Sequence, residues 1–284
     1  MSFMERYRDI RLDPRLLLDN AQSIICFAFS YRPPEGYHHP FISDYALGLD
    51  YHTVIRRRLT PVVEHIEKLG HKARICVDSA PILERYWAQK SGVGYIGMNH
   101  QLFVPGVGCD VFLAEIITTL PLEPDRAQTS SCDGCRLCFA SCPGNALSTD
   151  TLDACRCHSF LSIEHRGKLP EGTAFGSCVY GCDICRSVCP RNATPCRQPV
   201  DELMPREEIK NFTLAEAAAM TGGAWKRLAA PSALSRITLA QLRRNIDNST
   251  QTASHRGCSS FQESYERPQT DRCHTDSQGP LQPT

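Results

Sequence analysis

Three things are missing from this 284-residue chain. No apolar run approaches the ~20 residues of a membrane-spanning helix. Residues 1–13 are charged and hold no apolar h-region, so the chain opens without a secretory leader. Its charge favours neither sign, because 31 Lys and Arg balance 31 Asp and Glu. The first two absences predict a cytoplasmic protein with no membrane partner. The third excludes a global basic field of the kind that advertises nucleic acid. Local basic runs remain at Arg56-Arg57-Arg58 and Arg243-Arg244, and both read as solvated helix faces. Large apolar residues are scarce from 248 to 284. That stretch, rich in Ser, Thr, Gln and Pro, is expected to be a disordered tail.

What the chain has in abundance is cysteine, sixteen in all. Most cluster between 132 and 196 rather than spreading evenly, which favours metal ligation in a reducing compartment over a disulfide framework. Cys132, Cys135, Cys138 and Cys142, followed by Pro143, form C-x2-C-x2-C-x3-C-P. This is the bacterial-ferredoxin run, whose fourth cysteine ligates a second cluster. Cys182, Cys185 and Cys189, followed by Pro190, supply the answering half. The spacing assigns Cys132, Cys135, Cys138 and Cys189 to one [4Fe–4S] cluster. It assigns Cys142, Cys182 and Cys185 to another, with Cys155, Cys157, Cys178 and Cys196 as candidates for the fourth ligand. A zinc module is the alternative, but zinc has no use for three evenly packed ligands and a trailing proline. Cys26, Cys76 and Cys109 read as small buried hydrophobes, and Cys258 and Cys273 as bystanders in the tail.

Before the cysteines, strand and helix signals alternate. Residues 21–30 and 110–119 read as strands, and 74–78 as a short buried strand ending on an acid. Residues 51–69 read as a helix with Val54, Leu59, Val62, Val63 and Ile66 on one face and Gly70 at its end. A second helix is expected from Pro81 to Lys90, before a glycine-rich turn at 91–97. The alternation predicts an α/β (α+β) layer, followed by a ferredoxin-like two-cluster module and short C-terminal helices. Thr213 and Glu216 form a capping box for one of these, and 232–246 should be another. The expected divisions are 1–122, 123–200, 201–247 and the tail 248–284.

Several segments then carry a resemblance together: LDYHTVIRRRL (49–59), VDSAPILERYWAQKSGVGYIGMNH (77–100), VFLAEIITTLPLEPD (111–125), LDACRCHSFLSIEHRGKLP (152–170) and VYGCDICRSVCPRN (179–192). In this order, with this cysteine spacing, residues 5 to about 247 resemble the epoxyqueuosine reductases. The resemblance implies a cobalamin-binding α/β domain over 1–122, two [4Fe–4S] clusters and reduction of epoxyqueuosine to queuosine at the tRNA wobble position. It implies Asp78 as general acid and Cys157 as the missing eighth ligand. It places Ser159 and Arg166 at the cobalamin, and Leu161 and Glu164 at the tRNA. The implied partners are a tRNA with a GUN anticodon and a flavodoxin- or ferredoxin-type reductant, with the enzyme a monomer. The family's usual Trp and Lys of the glycine turn are here Tyr95 and Met98, and an Arg beside Cys157 is Cys155. The resemblance also implies a segment ahead of Met1 and C-terminal helical repeats, of which only the first helices, up to about 247, are expected here.

The chemistry suits these groups. Removing an epoxide oxygen as water takes two electrons and two protons. Cubanes move single electrons, and a corrinoid can collect them. The departing oxygen needs a proton, which a carboxyl of raised pKa in a partly dry pocket could give. Without the resemblance, Asp78 would read as the cap of the following helix. His52 reads as a packed, hydrogen-bonded side chain rather than a cobalt ligand, since Ile55 stands where D-x-H-x-x-G needs glycine. Cobalamin is therefore expected base-off with no protein axial ligand. Glu84 and Arg85 read as a surface pair. Gly92, Gly94 and Gly97 read either as a tight turn or as a close approach to the corrin. The competing functions are a plain electron carrier and a corrinoid reductive dehalogenase. The first would not need 120 residues ahead of its clusters, and the second would carry an export signal. Anaerobically purified protein should carry about eight irons per chain, as two cubanes require. Stoichiometric zinc without iron would defeat this expectation.

Overall fold

In this computed structural model, residues 5, 7–192 and 200–253 are described. The cysteines at 196, 258 and 273 and the tail from 254 lie outside them.

Strands β1 (Ser23–Ser30), β2 (Ala73–Cys76) and β5 (Val111–Thr118) make one sheet in the order β1-β5-β2. β5 runs antiparallel to both neighbours. The sequence order does not show this. The last strand inserts between the first two, and the alternation of strand and helix builds an antiparallel rather than a parallel layer. Helix α1 (Tyr51–Lys68) covers one face with Val54, Ile55, Leu59 and Ile66, against Ala114 and Ile116 of β5. Asp50 caps it by accepting the backbone N–H of His52 at 3.0 Å, and Gly70 takes φ +85° just past its end. Helix α2 (Glu84–Lys90) lies on the other face, where Ile82 and Trp87 pack with Leu17, Cys76 and Ile117. It begins three residues later than Pro81, because residues 77–83 form the loop that carries Asp78.

A two-stranded ribbon, β3 (Tyr95–Ile96) with β4 (Leu102–Phe103), follows α2. It explains the glycines at 94 and 97. A Cβ at Gly94 would strike the Phe103 carbonyl, and one at Gly97 would sit 2.7 Å from the Phe103 ring. Residues 122–131 run without regular structure into the cysteine-rich module, whose elements are single turns and helix α3 (His158–Ile163).

The C-terminal segment packs back on both parts. The capping box at Thr213 and Glu216 is formed, and helices α4 (Gly222–Ala229) and α5 (Leu239–Ala253) follow. Two expectations are corrected here. The helix set at 232–246 breaks, because Ala233–Arg236 is a single 3₁₀ turn. α5 then runs on to Ala253, through the first residues assigned to the tail. Arg244 is not a solvated cation. It donates to the carbonyls of Leu161, His165 and Gly167 at 2.8–3.1 Å. Its buried neighbour Asn245 donates to Ser162 and Val179 carbonyls at 2.8 Å each. Arg57 and Arg58 both reach Glu202.

One buried acid stands out in the sheet. Glu115 is fully buried, and neither of its oxygens has a hydrogen-bond partner among the described residues. It pairs across β5 with Cys26 on one side and Cys76 on the other, so all three side chains share a face. Burial, and then the nearby Glu84, push its carboxyl up to about 9. The unfolded chain would ionise it near 4.5, while the folded chain keeps it neutral until about 9. Between those values the unfolded state releases the proton and the folded state does not, so Glu115 costs stability as pH rises. Glu115→Gln should therefore raise the melting temperature more at pH 8 than at pH 5. An equal shift at both pH values in thermal unfolding would show that the acid is already ionised.

Candidate active site and cluster ligands

Asp78 follows β2 directly, in a backbone conformation with φ +46° that few residues other than Gly, Asn and Asp adopt readily. The turn is held from both sides. Its backbone N–H donates to Glu84 Oε1 at 2.6 Å. Its Oδ2 accepts from Tyr51 Oη at 2.8 Å and from Arg236 Nη1 at 3.3 Å, and faces His52 Nε2 at 3.3 Å. Tyr51 and His52 come from the first turn of α1, and Arg236 from the 3₁₀ turn before α5. Tyr51 is fixed between two rings, stacked on Phe112 at 4.1 Å and on His52 at 4.2 Å. Arg236 Nη2 also donates to Glu164 Oε1 at 2.6 Å, which joins the acid to the end of α3. The Asp78 side chain is 42% exposed and opens to solvent.

The electrostatics overturn one expectation. Burial favours a proton on Asp78. The hydrogen bonds from His52 and Tyr51 and the charge of Arg236 outweigh it and hold the carboxyl at about 2. Asp78 is thus ionised at neutral pH in this state, not poised with a raised pKa. Neither is it the cap of α2, whose N-cap is Leu83. The carboxyl that is pushed up, mainly by burial, is Glu84, to about 7. Glu84 and Arg85 do not form the expected surface pair, since Glu84 turns to the Asp78 backbone and Arg85 donates to the His100 carbonyl. His52 has its pKa raised, chiefly by Asp78 and also by Asp50, whose Oδ1 lies 2.9 Å from Nδ1. Both ring nitrogens of His52 therefore face carboxylates.

The residues placed at a cofactor and at tRNA by resemblance lie around α3. Ser159 is half-buried on it. Arg166 donates to Gln241 Oε1 and, at 3.2 Å, to the Arg236 carbonyl. Leu161 is buried in a small cluster with Leu169 and Phe175, so its side chain faces inward. Glu164 is half-buried and paired with Arg236. Sequence reading missed Tyr51, Glu84 and Arg236 as members of this site. A tyrosine and a histidine in the first turn of one helix carried a partial signal, whereas Arg236 had none.

The thiols fall into two sets. The Cys138 thiol is raised by burial and by Cys189, Cys132 and Cys135 around it. Burial pushes Cys182 up to about 11 and Cys185 to about 12, and in both cases Cys157 and Cys142 are the neighbouring thiols. Cys132 and Cys189 pack against Tyr95, Phe103 and Cys109. Among the described residues no three such groups converge on the point a single ion would need. These neighbours group Cys132, Cys135, Cys138 and Cys189 on one side and Cys142, Cys157, Cys182 and Cys185 on the other, two sets of the four thiolates that a cubane takes. Cys138 is also among the thiols that help to raise Cys185. Of the rival ligands, Cys155 is exposed on a 3₁₀ turn, and Cys178 donates to the Tyr180 and Gly181 carbonyls at 3.4 and 3.3 Å. Cys196 is outside the described residues. The Cys142 sulfur accepts the backbone N–H of Ala146 at 3.3 Å.

Residues 11–79 match the family described as Epoxyqueuosine reductase QueG, DUF1730, and residues 131–192 match the 4Fe-4S double cluster binding domain. The epoxyqueuosine reductase of Leadbetterella byssophila is 36% identical over 252 residues, covering 87% of this chain and 83% of that one. A crystal structure of epoxyqueuosine reductase with a tRNA-TYR epoxyqueuosine-modified tRNA stem loop superposes with a TM-score of 0.74 at 29% identity. That match covers 82% of this chain, which spans 65% of the length of the solved one. The Bacillus subtilis enzyme, solved with its aspartate catalytic loop swung out of the active site, matches with a TM-score of 0.74 at 29% identity. It covers 84% of this chain and 67% of the other.

The two thiol sets make one comparison decisive. Cys157→Ser should lose one cluster, seen as about half the iron, while Cys155→Ser keeps both. The reverse pattern would place the eighth ligand two residues earlier.

Proposed function

Because the chain belongs to the epoxyqueuosine reductase family, we propose that it reduces epoxyqueuosine to queuosine at the wobble position of a tRNA with a GUN anticodon, the final step of queuosine formation. The observation that carries this reading is Asp78. It is a single carboxylate presented to solvent by a strained turn, gripped by Tyr51, His52 and Arg236, on the same chain as two four-thiol sets. The relative bound to a modified tRNA stem loop supports the substrate. The relative with a displaced aspartate catalytic loop supports Asp78 as the acid. On this reading residues 77–83, which join β2 to α2, would serve as the loop that carries the acid.

Cys132, Cys135, Cys138 and Cys189 would hold one [4Fe–4S] cluster, and Cys142, Cys157, Cys182 and Cys185 the other. Clusters held there would supply one-electron transfer, with a flavodoxin- or ferredoxin-type protein as the external reductant. Cobalamin, held near Ser159 and Arg166, would supply a centre able to collect electrons. Residues 1–122 would form the cobalamin-binding domain, 123–200 the cluster module and 201–247 the helices that brace both. Glu164, on the rim of the site, is the tRNA contact. Leu161 contributes packing, since its side chain is buried. The protein acts as a cytoplasmic monomer.

Asp78 then works as a proton donor in two stages. In the open state its partners orient it and keep it ionised. Bound substrate excludes water from the 42%-exposed carboxyl and lifts its pKa, so that it can carry a proton to the departing oxygen. Asp78→Asn is nearly isosteric and tolerates the positive φ. It should keep both clusters while turnover of epoxyqueuosine-containing tRNA falls roughly 10²–10⁴-fold. An unchanged rate with full iron content would remove Asp78 from the chemistry.

A further inference from the structure

A carboxylate held ionised by three donors is a poor acid until something protonates it. The reaction also needs two protons, because each epoxide oxygen leaves as water after taking up two electrons and two protons. The electrons come from the iron–sulfur centres. The source of the protons is written in the first turn of α1. His52 Nε2 faces Asp78 Oδ2 at 3.3 Å, and His52 Nδ1 lies 2.9 Å from Asp50 Oδ1. Asp50 is 34% exposed at its side chain and His52 28%, so the chain Asp50–His52–Asp78 runs from solvent to the acid. We propose that His52 is the proton relay that recharges Asp78 from solvent between the two proton deliveries of each turnover. This inference rests on the reductase reading above.

The step balances without a further reactant. Asp78 gives its proton to the oxygen and becomes a carboxylate. The Nε2–H of a doubly protonated His52 moves to Asp78 Oδ2, leaving a neutral imidazole. The neutral ring keeps its Nδ1–H, so it regains a proton at the vacated Nε2: the ring turns over to present that nitrogen to water on the Asp50 side and then turns back. The 3.3 Å separation is slightly longer than the roughly 2.6–3.2 Å of a proton-transfer contact, a slack usual in a site without substrate.

Two opposing influences decide whether His52 carries a positive charge. It sits in the first turn of a helix, where the backbone N–H groups and the dipole disfavour a cation. Against this stand carboxylates on both sides, Asp50 and Asp78, with Glu84 beyond Asp78. Among the described residues Arg236 is the one cation facing this group, and it is itself divided between Asp78 and Glu164. Tyr51, stacked on the imidazole, stays neutral, since burial drives its pKa well up. The carboxylates win, and the His52 pKa lies above its ordinary 6.5. The charged, proton-bearing form is therefore present below that raised value and is lost as pH rises through it.

The cluster-loaded protein gives the test. In His52→Gln the side chain keeps its approximate size and cannot carry a proton. Turnover on epoxyqueuosine-containing tRNA should fall roughly 10²-fold, with iron content unchanged. The loss of rate that the parent shows as pH rises through the His52 pKa should vanish, and free imidazole should restore activity to His52→Ala. Asp50→Asn is the second variant. Asn caps a helix as well as Asp does, so α1 is preserved, and the alkaline limb should move to lower pH. A readout independent of activity is the titration of ¹³C-labelled His52 by NMR, expected above 6.5 in the parent and lowered in both Asp50→Asn and Asp78→Asn. Parental rate and parental alkaline limb in His52→Gln, or a His52 that titrates below 6.5, would overturn the relay. An inactive Asp78→Asn beside a fully active His52→Gln would sink the relay and leave the reductase reading standing. A parent that never converts the tRNA would sink the reductase reading, and the titration would still decide whether His52 holds the proton.

Discussion

The guanidinium of Arg186 joins the two halves of this molecule. It lies between the last two cysteines of the cluster motif and is buried, yet it is surrounded by three carboxylates. Its Nη2 sits 2.5 Å from Asp44 Oδ2 and 2.7 Å from Asp183, and its Nη1 2.5 Å from Asp110. Asp44 and Asp110 belong to the sheet domain, and Asp183 to the cluster module. A lone buried cation would cost several kcal/mol of lost hydration. Here the fork geometry of arginine answers two carboxylates from one domain and one from the other, an arrangement lysine could not copy. Arg32, 3.7 Å from Asp110, adds a second cation at the rim. Asn192 closes the set by donating to Asp110 at 3.0 Å while its own oxygen accepts from Cys109 N–H at 2.8 Å. The charges at Nη1 and Nη2 answer one another only when the sheet and the cysteine-rich segment are both in place.

Much of this was readable from local pattern. The cysteine run announced its clusters because ligand spacing is a local property. β1, β5 and α1 fell close to their expected limits, since each buries a face whose periodicity is written in consecutive residues. The capping box at Thr213 was read correctly for the same reason. What could not be read is non-local. Nothing near residue 111 says that β5 will insert between β1 and β2. Arg236 lies 158 residues from Asp78 and joins its site only through the packing of the C-terminal segment. Arg243 and Arg244 looked like a solvated pair, because their backbone acceptors come from other parts of the chain. The state of Asp78 was misjudged because an apolar strand before it implied a dry pocket. Its real surroundings are three donors from two distant elements.

The site has a division of labour that follows from this geometry. The sheet domain contributes the carboxylate and its histidine and tyrosine partners from adjoining segments. The cluster module contributes the thiols and Glu164. Arg236 belongs to neither and touches both, through Asp78 on one side and Glu164 on the other. Asp78 and Glu164 therefore share one guanidinium, and neither has its charge to itself.

The late position of Arg236 and Arg244 also orders events in time. A chain emerging from the ribosome offers β1, α1, β2 and the Asp78 loop first, then the cysteines, at about 5–20 residues per second. Until residue 236 is free, Asp78 has its tyrosine and histidine but no guanidinium. Until residues 244 and 245 are free, the carbonyls of Leu161, Ser162, His165, Gly167 and Val179 have no donor from α5. Helix α5 therefore closes the cysteine-rich segment last in synthesis, and the guanidinium of Arg236 completes the surroundings of Asp78 only shortly before it.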